Sequence, residues 1–408
     1  MKQMIPMFVA FASAVAFADP ADPQISNVVL SQDELSRRVA VTYTLDEPAI
    51  VTMDVLTNGV SIGDANVQYV SGDCNRLVSA GDHGLKWAPD KSWPDHRFTK
   101  PVVSVRLTAW ATNAPPMYMI VDLASRGARY YVSADALPDG GLANDIYKKT
   151  KLVLRRIPAT NVEWTMGSPE TEAGSAPFRS SETPHKVTLT RDYYMAVYPM
   201  TQLQYETVCG SNPSVAKGDS DSPVRPVENI SWVDLRGEVD PKAGPAASSF
   251  LGIMRSHTAV DFDLPTDAQY EFACRAGTGT AHYNGNLPVQ DSYYFAEDEA
   301  TMAIAWYDAC SSGKTQPVGR KQQNAFGLYD MLGNVMEWCR DRWSEGMVYG
   351  TDAMDPLGPD GDSYYRVSRG GASPYQMWFC RSAARGSNTW GSRSEWLGFR
   401  VMCPALAY

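Results

Sequence analysis

The sequence predicts two folded units, an all-β sandwich followed by a loop-rich α+β domain. Three observations carry this reading. From residue 23 to about 124, apolar residues alternate with period two and no helical period intervenes. From about 151 to 405, Gly, Pro, Trp and Tyr are dense and long helical periods are scarce. Between them, 125–150 reads as a mixed connector containing Pro138-Asp-Gly-Gly141. A chain of 408 residues is long enough for two or three such units.

The first eighteen residues are read separately. Lys2 gives a short basic start, Ile5 to Phe17 is apolar and uncharged, and Ala16-Phe17-Ala18 is a small-x-small site before Asp19-Pro20. This is the pattern of a secretory signal peptide over 1–18. The apolar run is shorter than the ~20 residues a membrane span needs, and no other segment is long and apolar enough to span. The mature chain is therefore expected to be exported, periplasmic or extracellular, in a compartment that permits disulfides. The net charge of −10 argues against nucleic acid as a partner.

The sandwich, 19–124, rests on four alternating runs. They are Arg38 to Leu45, Ala49 to Leu56, Val102 to Trp110 and Met117 to Leu123, with a turn at Thr57-Asn58-Gly59. Short strands at this spacing suggest an immunoglobulin or fibronectin type of sandwich. Trp87 and Trp93 are read as core or edge residues.

In the second unit one helix is clear. Thr266 follows Pro265 as N-cap and Gln269 completes a capping box. Asp267 and Glu271 lie towards the positive end, and Gly277 ends the helix. A second short helix begins near Pro199-Met-Thr-Gln-Leu203 with Thr201 as cap.

Seven cysteines are present, an odd count, and no C-x-x-C occurs. The five histidines are scattered and form neither H-x-x-x-H nor H-E-x-x-H. There is no G-x-S-x-G and no phosphate loop.

Several signatures follow one another in fixed order. They include Thr165-Met-Gly-Ser168, Glu182-Thr-Pro-His-Lys-Val187, Arg225-Pro-Val-Glu-Asn-Ile-Ser-Trp232 and Leu264-Pro-Thr-Asp-Ala-Gln-Tyr-Glu-Phe-Ala-Cys-Arg-Ala-Gly277. After them come 324–343, Arg366-Val-Ser-Arg-Gly-Gly371, Cys380-Arg-Ser-Ala-Ala-Arg385 and Leu397-Gly-Phe-Arg-Val401. Together they resemble the formylglycine-generating enzyme, or sulfatase-modifying factor, domain. The resemblance covers about 150–403 and implies a variant C-type-lectin fold with bound calcium.

The enzymes of that family oxidise a sulfatase cysteine to formylglycine with Cu(I) and oxygen, a chemistry that needs a thiolate pair. They carry C-x4-C between the Gly-Gly and the Ala-Ala-Arg. Here that stretch, Gly371 to Arg385, is three residues shorter. Counted forward, Tyr375 and Cys380 fall on the two positions; counted back, Ala372 and Met377 do. Ala372 replaces the family's serine, and Met336 replaces its tryptophan. Copper is therefore not expected, although a divergent oxidase using Cys380 with Tyr375 remains the competing reading. A histidine cluster of the kind the iron-dependent relatives use is also lacking.

The resemblance also implies one structural calcium, with side-chain oxygens from Asp330 and Glu337 and carbonyls from Gly333 and Val335. The competing reading pairs Glu337 with a buried arginine. It implies a Cys274–Cys403 disulfide, and Cys339–Cys380 is a second candidate pair. A further branch of the family uses the fold for binding. The stretch Ser373 to Trp396 suits that use, with Tyr375, Trp378, Asn388, Trp390 and Trp396 as the ligand surface for a protein or glycan.

Overall fold

The computed structural model describes residues 23–405 apart from 34–35, 64–65, 68, 94–102, 125–126, 176–179, 259, 290–296, 347–348 and 350–352. The expected signal peptide lies outside the described residues. The chain divides into two compact units, the first mainly 1–117 and the second mainly 144–405.

In the first unit two antiparallel sheets share one core. In one, Val39–Leu45 pairs with Ile25–Gln32 on one side and Gly81–Trp87 on the other. In the other, Ala49–Thr57 pairs with Val103–Ala111 along its whole length. Alternation decides which side chains go inward. Val39, Val41, Tyr43 and Leu45 from one sheet meet Ala49, Val51, Met53 and Val55 from the other, with Trp87 between neighbours. The turn after Thr57 forms as the sequence indicates, because Asn58 and Gly59 both take positive φ (51° and 79°) and Val60–Ser61 returns along the strand.

One expected strand belongs elsewhere. Tyr118–Asp122, read as the fourth strand of the sandwich, pairs with Lys151–Ile157 and is part of the second unit. Its alternation is period two in either setting, so periodicity cannot assign it to a sheet.

The second unit is built on small sheets. Lys151–Ile157 lies between Tyr118–Asp122 and Tyr193–Ala196, and Met402–Pro404 adds to the far side of Tyr193–Ala196. A second sheet joins Val162–Met166, His185–Leu189 and Ala353–Met354. A third runs Arg385–Thr389, Tyr365–Arg369, Met336–Arg342 and Leu397–Gly398.

Helices are short and capped. Thr266 accepts from the Gln269 amide at 3.2 Å while Gln269 accepts from the Thr266 amide at 2.9 Å, which closes the expected capping box of Asp267–Arg275. That helix ends one residue earlier than expected, on Ala276 in the left-handed region (φ 45°). Gln202–Cys209 is capped in the same way by Thr201 and Gln204. Asp267 and Glu271 are not on the solvent side. Both are fully buried, because they face a set of arginines described below.

The 330–334 turn fixes the third sheet. Asp330, Gly333 and Asn334 all have positive φ, and the Trp306 backbone runs alongside Gly333. A Cβ on Gly333 would stand 2.3 Å from the Trp306 carbonyl oxygen and 2.6 Å from its nitrogen. Backbone cannot give way as a side-chain tip can. Gly333→Ala is expected to cost more than ~2 kcal/mol, read as a lower midpoint in urea unfolding.

Candidate functional site: the Gly370–Trp396 region and the charges beneath it

Below the Gly-Gly turn, Arg369 joins two elements. Its Nε donates to Asp267 and its Nη2 to Glu271 at 2.9 Å. Its Nη1 donates to the carbonyls of Ser382 (2.9 Å) and Ala384 (3.3 Å). Arg385 donates to the other Asp267 oxygen at 2.8 Å, and Arg275 to Glu271 at 2.9 Å. Arg381 forks onto Glu182 at 2.7 and 2.8 Å. The side chains of Arg369, Arg381, Arg385, Asp267, Glu182 and Glu271 are wholly shielded from water. Burial alone would raise the Asp267 and Glu271 carboxyls; Arg369 and its neighbours outweigh it and hold both below their ordinary values. Sequence reading gave Asp267 and Glu271 a helix-end role. Their place four apart on a helix that is otherwise buried was the signal that they answer arginines.

Two carboxyls share one hydroxyl here. The Tyr349 hydroxyl is 2.7 Å from Asp341 Oδ1 and 3.0 Å from Asp267 Oδ2, and Asp341 Oδ2 accepts from the Asp267 amide at 2.8 Å. Burial and the charge on Asp267 push Asp341 up to about 7. A proton on Asp341 can then be donated to Tyr349, whose own proton goes to Asp267.

Of the two expected catalytic residues, one is buried and the other half-buried. Cys380 ends a short turn of helix, Met377–Cys380, and is fully buried. Its sulfur abuts Gly371, 2.9 Å from where a Cβ would stand. Burial pushes its thiol far above the ordinary range, and Cys310 and Asp308 push the same way. Tyr375 is half-buried, its ring 5.2 Å from that of Phe379 and its carbonyl accepting from the Asp308 amide at 3.0 Å. Among the described residues, no group of three His, Cys, Asp or Glu is placed to hold a metal. Met336 packs against Gly386, where a Cβ would lie 2.0 Å from its methyl carbon, and Ala372 is buried.

Neither expected disulfide is formed, since all seven cysteines are free thiols. The Cys274 sulfur faces the Ser382 hydroxyl at 3.6 Å rather than Cys403. Cys339 lies near the Asp267–Arg369 charges. Cys403 sits opposite Tyr194 on the last strand.

The expected calcium residues lie in one turn. Glu337 accepts Arg400 Nε at 2.6 Å and Nη2 at 2.7 Å, so it pairs with a buried arginine. Asp330 has only neutral donors, the Gly319 amide at 2.6 Å and the Asn334 side chain at 3.3 Å. Burial raises both carboxyls. Asp330 has no charged hydrogen-bond donor among the described residues, although Arg400 and Lys148 stand near enough to act against the effect of burial. Asp330, Glu337 and the carbonyls of Gly333 and Val335 are oxygen donors of the kind calcium takes.

The expected ligand surface separates into groups. Tyr375 and Trp378 flank Phe379, with ring centroids 5.2 and 6.1 Å from it. Trp390 instead meets Tyr364 at 4.7 Å. Asn388 donates to Ser368 at 3.1 Å, and the Trp396 carbonyl accepts from the Met336 amide at 2.8 Å. All five residues are partly exposed. Tyr364, 63% exposed, was not anticipated. It precedes the Gly-Gly turn, and only pairing across the sheet brings it to Trp390.

Small sheets pinned by buried guanidinium–carboxylate pairs, around a Gly-Gly turn and a long aromatic loop, define a formylglycine-generating-enzyme-like scaffold. The chain belongs to the sulfatase-modifying factor enzyme 1-like domain family, whose profile matches residues 156–405. Among curated relatives it is similar to the chaperone protein LppX of Paenibacillus barcinonensis, 28% identical over 47% of this chain and 73% of that one. It is also similar to the formylglycine-generating enzyme of Streptomyces coelicolor, 31% identical over 46% of this chain and 56% of that one. The matches span little more than half the length of the bacterial formylglycine-generating enzymes. Among solved structures, Treponema denticola variable protein 1 aligns with a TM-score of 0.49 at 26% identity, covering 62% of this chain and 95% of that one.

The Asp341 carboxyl has a pH consequence. The folded state keeps its proton at pH values where the unfolded chain has lost it, so its contribution is full at acid pH and is lost as pH rises through about 7. Asp267 and Glu271 act oppositely, and theirs is lost only in stronger acid. Unfolding free energy in urea should therefore fall between about pH 5 and about pH 8. Asp341→Asn, which keeps a donor towards Tyr349, should flatten that fall.

Proposed function

We propose that this chain is a non-oxidising member of its family, exported, in which the sulfatase-modifying-factor-like domain serves as a binding scaffold. The observation that carries the reading is the state of Cys380, the one thiol in the Gly371–Arg385 stretch. It is shielded from solvent, protonated by burial, and without a second thiol in that stretch. Cu(I) favours paired soft ligands and exchange with an incoming substrate thiol. The likeness to a relative named as a chaperone supports a role outside oxidation. The leader-like 1–18 supports export, and no helix of the described residues is long and apolar enough to cross a membrane. The two-sheet N-terminal unit is read as an immunoglobulin-type spacer or docking domain, and the ligand as a protein or glycan.

The test is incubation of the purified protein with Cu(I), oxygen and a cysteine-containing sulfatase peptide. No aldehyde is expected. Oxygen-dependent aldehyde that disappears in a folded Cys380→Ser variant would establish the competing oxidase.

We also propose one calcium ion in the 330–337 turn, with Asp330, Glu337 and the carbonyls of Gly333 and Val335 as its oxygens. Its role is charge balance and loop fixation. Chelation should lower the melting temperature by a few degrees and calcium should restore it. Asp330→Asn should remove the calcium-dependent part. A melting temperature indifferent to both treatments would rule the ion out.

A further inference from the structure

One arginine of the second unit is buried without a carboxylate. Arg366, in the strand Tyr365–Arg369, is shielded from water and has no acid within ion-pair distance among the described residues. Its Nη atoms donate to the carbonyls of Ser363 (2.7 Å), Tyr365 (3.0 Å) and Val239, and its Nε has no hydrogen-bond partner. Its charge is met by rings. The guanidinium lies 4.6 Å from the centroid of Trp232 and 5.1 Å from that of Trp390. Arg236 stacks on Trp232 at 4.9 Å. At the outer end Tyr364 leans on Trp390 at 4.7 Å with 49° between the planes.

The result is a ladder, Arg236–Trp232–Arg366–Trp390–Tyr364, that begins in the core and ends in a ring 63% open to solvent. A guanidinium stacked on an indole is attracted by the ring's negative face, which helps offset burying Arg366 without an anion. It also fixes the plane of Trp390. Two inclined rings held from behind form a corner whose ordering cost is already met before a ligand arrives.

The surroundings choose among ligands. Arg366 behind Trp390 opposes a cation on that indole. Among the described residues the arginines near these rings are paired, Arg393 with Asp234 at 2.7 Å and Arg342 with Asp240 at 3.3 Å, so neither awaits an anion. Small polar residues flank Trp390 in the chain: Asn388, and Thr389 and Ser392, whose hydroxyls are 2.7 Å apart. A ligand with a flat C–H face, no charge and hydroxyls at its edge matches all three conditions.

We propose that Tyr364 and Trp390 form the stacking platform of a subsite for a neutral sugar ring. This rests on the binding-scaffold reading and names its ligand class as glycan. The ring's axial C–H face packs on the aromatic corner while its hydroxyls meet Asn388, Thr389 and Ser392.

The full chain is titrated with cellohexaose, xylohexaose, mannohexaose and chitohexaose, followed by tryptophan fluorescence and calorimetry. At least one is expected to bind. Tyr364→Ala, an exposed position that leaves the core intact, should weaken it by about tenfold with an unchanged melting temperature. Tyr69→Ala, an exposed ring of the first unit, should bind as the parent does. Silence from all four sugars overturns the proposal, as does binding that Tyr364→Ala leaves unaltered. The sulfatase-peptide assay on the same preparation separates the two claims. Silence with no aldehyde removes the sugar site alone, and silence with aldehyde removes the scaffold reading as well.

Discussion

Arg369 is the residue on which the second domain turns. One guanidinium holds the Asp267–Arg275 helix through Asp267 and Glu271 and the returning loop through the Ser382 and Ala384 carbonyls. A domain with small sheets and short helices has few long apolar faces to weld together. Directional, charge-assisted bonds replace some of that area. Buried pairs of this kind are poor sources of net stability, because desolvation cancels much of the attraction. What they supply is selectivity. Any packing that parts Arg369 from its two acids leaves unmatched charge in a dry interior.

The same logic accounts for the burial of the one thiol in the Gly371–Arg385 stretch. Cys380 lies immediately before Arg381, whose fork onto Glu182 draws the segment inward. A thiol held there contacts Gly371 and the core, not solvent. Met336 against Gly386 and the buried Ala372 close the neighbouring space with apolar atoms.

Much of this was legible in the chain. The ordered motifs named the scaffold, the capping boxes at Thr201 and Thr266 placed two helices, and Asn58-Gly59 placed a hairpin. The missing thiol pair was a matter of counting. What eluded reading was non-local. Period-two alternation cannot say which sheet Tyr118–Asp122 joins. Spacing cannot reveal that Cys274 faces Ser382, nor that Asp267 and Glu271 turn inward to arginines about a hundred positions later. The Tyr364–Trp390 contact arises because Tyr365–Arg369 pairs with Arg385–Thr389, and cross-strand register is not written in either segment alone.

The aromatic loop is tethered at both ends. Arg369 precedes it with two acids, and Arg400 follows it with Glu337 and the carbonyls of Tyr329 and Asp330. Between these anchors the chain can shorten or lengthen at modest loop-closure cost, which grows only slowly with length. A deletion of three residues relative to its enzymatic relatives is therefore an ordinary event here. The domain behaves as a socket with an adjustable insert, whose length and surface can vary without renegotiating the fold.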